Sequence, residues 1–205
     1  SLVGSEMCIR DRSKTAYNFM GGIMNSAEAL TAWFNPTINS YKRINAPVTA
    51  SGATWAPNTI TDSGNNRTHM IRVPGPGRFE LRLMDGATNP YLLQAGILAA
   101  GIDGVERKRD PGKPINVNMY EDGHKIKGAK KLPLTLEKAL SHLDKSKVLK
   151  DAFSKETINS YIKLKNKEIK KYQSSNTKKI GFKGSKQSNK KNIITQWEKD
   201  NTLDC

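Results

Sequence analysis

Cysteine is scarce in this chain: it occurs twice, as Cys8 and Cys205, at opposite ends. That spacing excludes a disulfide framework and a cysteine-built metal cluster, and it suits a reducing cytoplasm. Long apolar runs are missing too. None approaches the ~20 residues that a bilayer-spanning helix requires. Hydrophobic residues make up 36% and aromatic residues 7% of the 205 residues. Both fractions are low for a compact protein, so part of the length is expected to be solvated tail. Acidic residues are the other shortage, 19 Asp and Glu against 34 Lys and Arg, for a net charge of +15.

That excess is concentrated late in the chain. Lys163 to Lys191 holds eleven lysines and one glutamate, a net of +10. Runs of this kind are usually solvated, and only Tyr172 and Phe182 interleave with it, so nucleic acid is not the expected partner. The competing reading, a polyanion-binding protein acting through this tail, predicts a steep salt dependence of DNA affinity. The remainder is mildly basic, which fits a protein that handles phosphates and carboxylates.

Ser1 to Arg12, SLVGSEMCIRDR, resembles a translated sequencing adapter and lacks the charged-then-apolar order of a targeting signal. On that reading Cys8 has no functional meaning and the natural chain extends upstream of Ser13. Lys14 to Trp33 has apolar residues at Phe19, Ile23, Ala27 and Leu30, the spacing of a helix. Asn35-Pro36 ends it. Ala46 to Asn66 reads as an ordered loop with short strands. Thr68 to Pro74 and Arg78 to Leu83 are strand candidates joined by Gly75-Pro76-Gly77. In the second, Phe79, Leu81 and Leu83 face one side and Arg78, Glu80 and Arg82 the other. A helix is predicted from Pro90 to about Gly104, with Asn89 as N-cap and Pro90 at its first position. Its apolar run covers nearly every face, which predicts burial. Leu136 to Leu143 and Lys155 to Lys171 read as amphipathic helices. Ser174 to Lys191 reads as disordered, and structure is expected to return at Gln196-Trp197-Glu198.

The chemistry is concentrated in the two strands. Arg78, Glu80 and Arg82 share one face, Arg67 and Arg72 lie on or beside the neighbouring strand, and Arg43 lies upstream. Arginine binds carboxylate and phosphate with paired hydrogen bonds. A lone carboxylate among arginines suits a divalent cation that bridges phosphates. The residues alone therefore point to a phosphate-plus-carboxylate site.

Four ordered segments give this site a family. Asn35-Pro36-Thr37-Ile38-Asn39-Ser40-Tyr41-Lys42-Arg43, Asn66-Arg67-Thr68-His69-Met70-Ile71-Arg72-Val73-Pro74, Arg78-Phe79-Glu80-Leu81-Arg82-Leu83-Met84-Asp85, and Asn89-Pro90-Tyr91-Leu92 with Ala99-Ala100-Gly101-Ile102-Asp103-Gly104 resemble consecutive motifs of glutamine synthetases. The likeness runs from about Phe19 to Lys171. NAPVTASGATWAPNT is most similar to the type III branch, which includes γ-glutamylmethylamide synthetases. The resemblance implies an α+β fold: part of a curved antiparallel sheet backed by helices, with a helical C-terminal region. It implies a ligase that phosphorylates the glutamate γ-carboxylate with ATP and lets ammonia or methylamine displace the phosphate. Arg43 and Arg82 would hold glutamate, and Arg67, Arg72 and Arg78 the ATP phosphates. Arg67 would also act at the transferred phosphoryl group, and Glu80 would bind Mg²⁺ or Mn²⁺. The parent enzyme would be a cytoplasmic homo-oligomer with active sites between subunits.

Departures from the family pattern matter. Many members place a glutamate before the Ala-Pro that follows NSYKR, where it takes a proton from ammonium. Here Asn45 stands there, and an amide cannot act as a base. That keeps methylamine open as the amine. Met84 replaces the usual proline. Tyr120 reads as a surface tyrosine, His69 as an ordinary residue on a strand, and His124 and His142 as exposed. The layout expected is an adapter-like segment over 1–12, the C-terminal part of a catalytic domain over 13–172, a Lys/Ser/Asn-rich insertion over 173–192 and a terminal segment over 193–205. A chain without the family's N-terminal region is expected to be inactive alone. A non-catalytic relative that kept the fold remains the other alternative.

Overall fold

The computed structural model describes residues 13–46, 56–175, 179–180, 194–195, 197 and 200–201. Residues 1–12, most of the predicted insertion and most of the terminal segment lie outside that set, as do Gln196 and Glu198. The fold is α+β, helices backing a small sheet. Helix α1 spans Lys14–Phe34 and opens on Ser13, whose hydroxyl accepts from the Ala16 N–H. It stops at Asn35-Pro36, as the sequence predicts. Helix α2, Ile38–Ile44, follows at once. Thr37 and Ser40 form its reciprocal capping box, so the polar NSYKR segment is helical and not a loop.

Strand β1 (Asp62–Ser63) runs parallel to β2 (Ile71–Gly75), and β2 pairs antiparallel with β3 (Arg78–Leu81). Pro76-Gly77 makes the hairpin turn, with Gly77 at φ +76°, the positive value that a type II turn requires of its third residue. Helix α3, Pro90–Glu106, is capped by Asn89, whose side chain accepts from Tyr91 and Leu92. Helices α4 (Leu136–Lys145), α5 (Lys147–Phe153) and α6 (Lys155–Ser174) complete the helical layer. Beyond α6, Lys179–Ile180 pairs antiparallel with Ile194–Thr195, and the Trp197 ring lies 5.3 Å from that of Tyr172.

The core is built on α1. Met20, Ile23, Leu30, Trp33 and Phe34 are fully buried or nearly so, together with Met70, Ile71 and Leu83 from the hairpin and Leu143, Leu149 and Ile158 from the later helices. Trp33 stacks edge-on against Phe153 at 4.9 Å and Tyr161 at 6.4 Å. The Tyr161 hydroxyl reaches back to donate to the Ala32 carbonyl at 2.8 Å. Burial pushes the phenol of Tyr161 well above its usual value.

Helices α1 and α3 touch backbone to backbone. A Cβ on Gly22 would stand 2.0 Å from the Ala100 oxygen, and one on Gly104 would stand 2.2 Å from the Asn18 oxygen. This close approach corrects the expectation that α3 is buried all round. The face turned to α1 is the small one, Gly96, Ala100, Gly101 and Gly104. Three large residues point the other way, with Tyr91 82%, Leu98 55% and Ile102 51% exposed, while Leu92, Leu93 and Ile97 pack partly against the core. Among the described residues no helix is long and apolar enough to cross a membrane.

Candidate active site

The β2–β3 register places Arg72 opposite Glu80. Alternation along β3 then puts Arg82 on the face that Glu80 occupies. The result is a three-residue bridge. Arg72 Nη1 donates to Glu80 Oε2 at 2.7 Å, and Arg82 Nε lies 3.2 Å from Glu80 Oε1. Each carboxylate oxygen thus has its own guanidinium. The hydrogen bond from Arg72 holds the Glu80 carboxyl below its usual range, and the charges of Arg72, Arg82 and Arg67 add to the effect. Arg72 is anchored from behind by Asn65, whose Oδ1 accepts from Nε at 3.0 Å and from Nη2. Glu80 stays open to solvent, its side chain 43% exposed, while that of Arg72 is only 14% exposed.

Arg43 joins this group from α2. Its Nη2 donates to Asn35 Oδ1 at 2.7 Å and to the Leu83 carbonyl at 3.0 Å. Burial lowers the Arg43 guanidinium below its usual value, Asp85 opposes that, and Arg82 adds a further push downward. Burial likewise lowers Arg82, against the pull of Glu80. Both stay charged in the working range, because arginine starts so high. Two donors in this region are sealed from solvent without a hydrogen-bond partner, Arg43 Nε and Arg82 Nη1. Donors of that kind are costly to leave unpaired. A recess of about 230 Å³ opens beside Arg43, walled by Thr37, Asn39 and Ser40 of the α2 end and by Asp85 and Gly86.

The structure thus gathers Arg67, Arg72, Glu80 and Arg82 within range of one another's charge and links Arg43 to them through Arg82. Arg78 is exposed at the start of β3, opposite Gly75 at the turn end of the hairpin. Sequence reasoning read Asn35 only as part of a helix stop and assigned no role to Asn65 or Asp85. Asn35 and Asp85 stood inside the quoted motifs, but no spacing rule says which arginine they meet.

Four other expectations need correction or completion. His69 is not on a strand. It sits just before β2, 0% exposed, with Nε2 2.8 Å from the Val117 carbonyl and Nδ1 3.0 Å from Thr61 Oγ1. A carbonyl can only accept, so Nε2 carries the proton and Thr61 donates to Nδ1. Burial lowers the His69 pKa. His142 is only partly exposed and lies 3.8 Å from Glu28. Tyr120 is not a surface hydroxyl, since its oxygen is sealed from solvent. The turn that carries it is drawn in by the Met119 N–H, which donates to Thr68 Oγ1 at 2.9 Å. Asn45 donates to the Tyr41 carbonyl at 2.6 Å and to the Leu134 carbonyl at 3.0 Å. Both amide hydrogens are therefore committed to the main chain.

Comparison with known proteins gives this geometry a lineage. The family model described as glutamine synthetase, catalytic domain, matches residues 3–181. A glutamine synthetase of Rhizobium meliloti (strain 1021) is 54% identical over 187 residues, 91% of this chain and 39% of that protein. A glutamate–methylamine ligase of Methyloversatilis universalis is 44% identical over 163 residues, 78% of this chain and 36% of the other. A solved structure described as "GmaS/ADP complex-Conformation 1" superposes with a TM-score of 0.75 at 48% identity, covering 94% of this chain and 40% of its own. The chain therefore spans about 40% of the length of such relatives. With the motifs in order, the arginines gathered around Glu80 and the family model matched over most of its length, this chain belongs to the glutamine synthetase family.

Proposed function

We propose that this chain is part of the catalytic domain of an ATP-dependent ligase that joins an amine to the γ-carboxylate of glutamate. The observation that carries the reading is the Arg72–Glu80–Arg82 bridge with Arg43 linked to it through the charge of Arg82. Arg43 and Arg82 hold the carboxylates of glutamate. Arg67, Arg72 and Arg78 face the phosphates of ATP, and Arg67 acts at the transferred phosphoryl group. The γ-phosphoryl passes to a glutamate γ-carboxylate oxygen and ADP leaves. The amine nitrogen then attacks the acyl carbon, phosphate departs and the nitrogen loses a proton. The arginines neutralise charge spread over the transferred oxygens.

Mg²⁺ or Mn²⁺, when bound, would supply further neutralisation of the phosphates. Glu80 is exposed and held anionic, so it fits as a ligand. Among the described residues no group of three or more His, Cys, Asp or Glu could hold a metal, so the ligand set must be completed from outside them. The whole enzyme is a cytoplasmic homo-oligomer whose active sites lie between subunits.

Methylamine is the second reading for the amine. Asn45 stands where many relatives place a proton-accepting glutamate, and its amide is tied to Tyr41 and Leu134. The test is ADP release by the full-length protein that carries this region, supplied with glutamate and either ammonia or methylamine. Turnover with one amine supports the reading and names the substrate. Absence of turnover with both overturns it.

A further inference from the structure

Asn35 is a fully buried polar residue whose position in the chain explains only half of what it does. As C-cap of α1 it needs just its backbone N–H, which donates to the Thr31 carbonyl at 2.9 Å. The side chain is engaged elsewhere. Oδ1 accepts from Arg43 Nη2 at 2.7 Å, and Nδ2 donates to the Leu83 carbonyl at 3.0 Å. Arg43 Nη2 also donates to that carbonyl, at 3.0 Å. The contacts close a triangle between the end of α1, the Arg43 side chain of α2 and the residue next to Arg82. A guanidinium only donates and a carbonyl only accepts, so the amide can sit in one orientation alone.

We propose that Asn35 is a positioning residue that sets the separation of Arg43 and Arg82, the two cations assigned above to glutamate. The inference rests on that assignment. The chemistry of an amide suits the task. It presents an N–H donor group and a separate oxygen acceptor on a short stem; aspartate lacks the donor, serine is too short and glutamine too long for this spacing. It is also neutral, so it holds the guanidinium without cancelling its charge. Asp85 already acts on Arg43 through space. A second carboxylate in direct contact would compete with the substrate's own.

The test uses the full-length enzyme with Asn35→Asp and Asn35→Ala. Asn35→Asp keeps size and the acceptor for Arg43 but turns the donor toward Leu83 into an acceptor. It is expected to raise the KM for glutamate about tenfold or more while the KM for ATP stays within about twofold. Asn35→Ala should show the same split with a lower melting temperature. In an Arg43→Ala background, Asn35→Asp should raise the glutamate KM by much less than it does alone, because the contact through Arg43 is already gone. A fall in kcat with the glutamate KM unchanged, or an undiminished Asn35→Asp effect in the Arg43→Ala background, overturns the proposal. If Asn35→Ala does not fold, the Asn35→Asp pair of measurements still decides. Loss of ligase turnover in the unsubstituted enzyme would strike the proposed function. Normal turnover with unmoved Asn35→Asp kinetics strikes this inference alone.

Discussion

The contact between α1 and α3 makes a sharp prediction for Gly22→Ala. The new methyl would stand 2.0 Å from the Ala100 oxygen and 2.7 Å from Gly104 Cα. Ordinary contact begins at 3.4 Å, so the helices would have to part by more than an ångström. Both obstructing atoms are main chain, and no rotamer change relieves them. Two effects oppose each other. Alanine stabilises a helix interior by about 1 kcal/mol relative to glycine. Overpacking a tight contact costs about 1–3 kcal/mol and occasionally more. Backbone obstruction puts this site at the upper end, so a net loss of about 2 kcal/mol is expected. For a chain of this size that lowers the melting temperature by roughly 4–8 °C. Gly64→Ala is the control, since nothing lies within 4 Å of the position its methyl would take, and it should stay within about 0.5 kcal/mol of the parent. The assay is thermal unfolding of the chain followed by circular dichroism at 222 nm, with both variants side by side. A Gly22→Ala chain as stable as the parent, or more so, would refute the close-contact reasoning.

Three further outcomes are expected. Arg82→Ala in the full-length enzyme should lower kcat/KM for glutamate about a hundredfold or more, because the charge-assisted contact proposed for the substrate carboxylate is lost; steady-state ADP release checks it. His69 has a folded pKa below its unfolded value, so the unfolded chain binds more protons between the two. Stability should therefore fall as pH drops below about 6.5. Glu80, lowered in the folded state from 4.5, contributes stability at neutral pH that is lost only as pH falls into the more acidic range, so urea midpoints at pH 7 and 5 report chiefly on His69, and a His69→Gln chain should show a flatter profile. Tyr161→Phe removes the hydrogen bond to Ala32 and should cost about 1 kcal/mol, read from the same urea curves.

What could be read from the sequence was what repeats locally. The periodicity of Phe19, Ile23, Ala27 and Leu30 marks α1, and Asn35-Pro36 marks its end. The alternation of Arg78 and Glu80 marks one face of β3, and Arg82 just beyond it continues the pattern. The seven-residue helices α2 and α5 did not announce themselves, because two turns are too short for a period to establish. The burial of α3 was misjudged because composition reports how apolar a helix is but not which side its neighbour takes. Gly22 and Gly104 chose the small side. The partners of the arginines were beyond reach for a related reason. Asn35 meets the Leu83 carbonyl across 48 positions, and nothing local in either segment encodes that meeting. The same holds for His69, whose contact with Val117 also spans 48 positions.

Tyr91, Leu98 and Ile102 leave a greasy ridge along the outer side of α3. Water is a poor neighbour for such a ridge. The expected outcome for the isolated chain is light scattering that climbs with concentration. Handling the chain at low concentration, or replacing Leu98 and Ile102 with glutamine, follows directly from where those three side chains point.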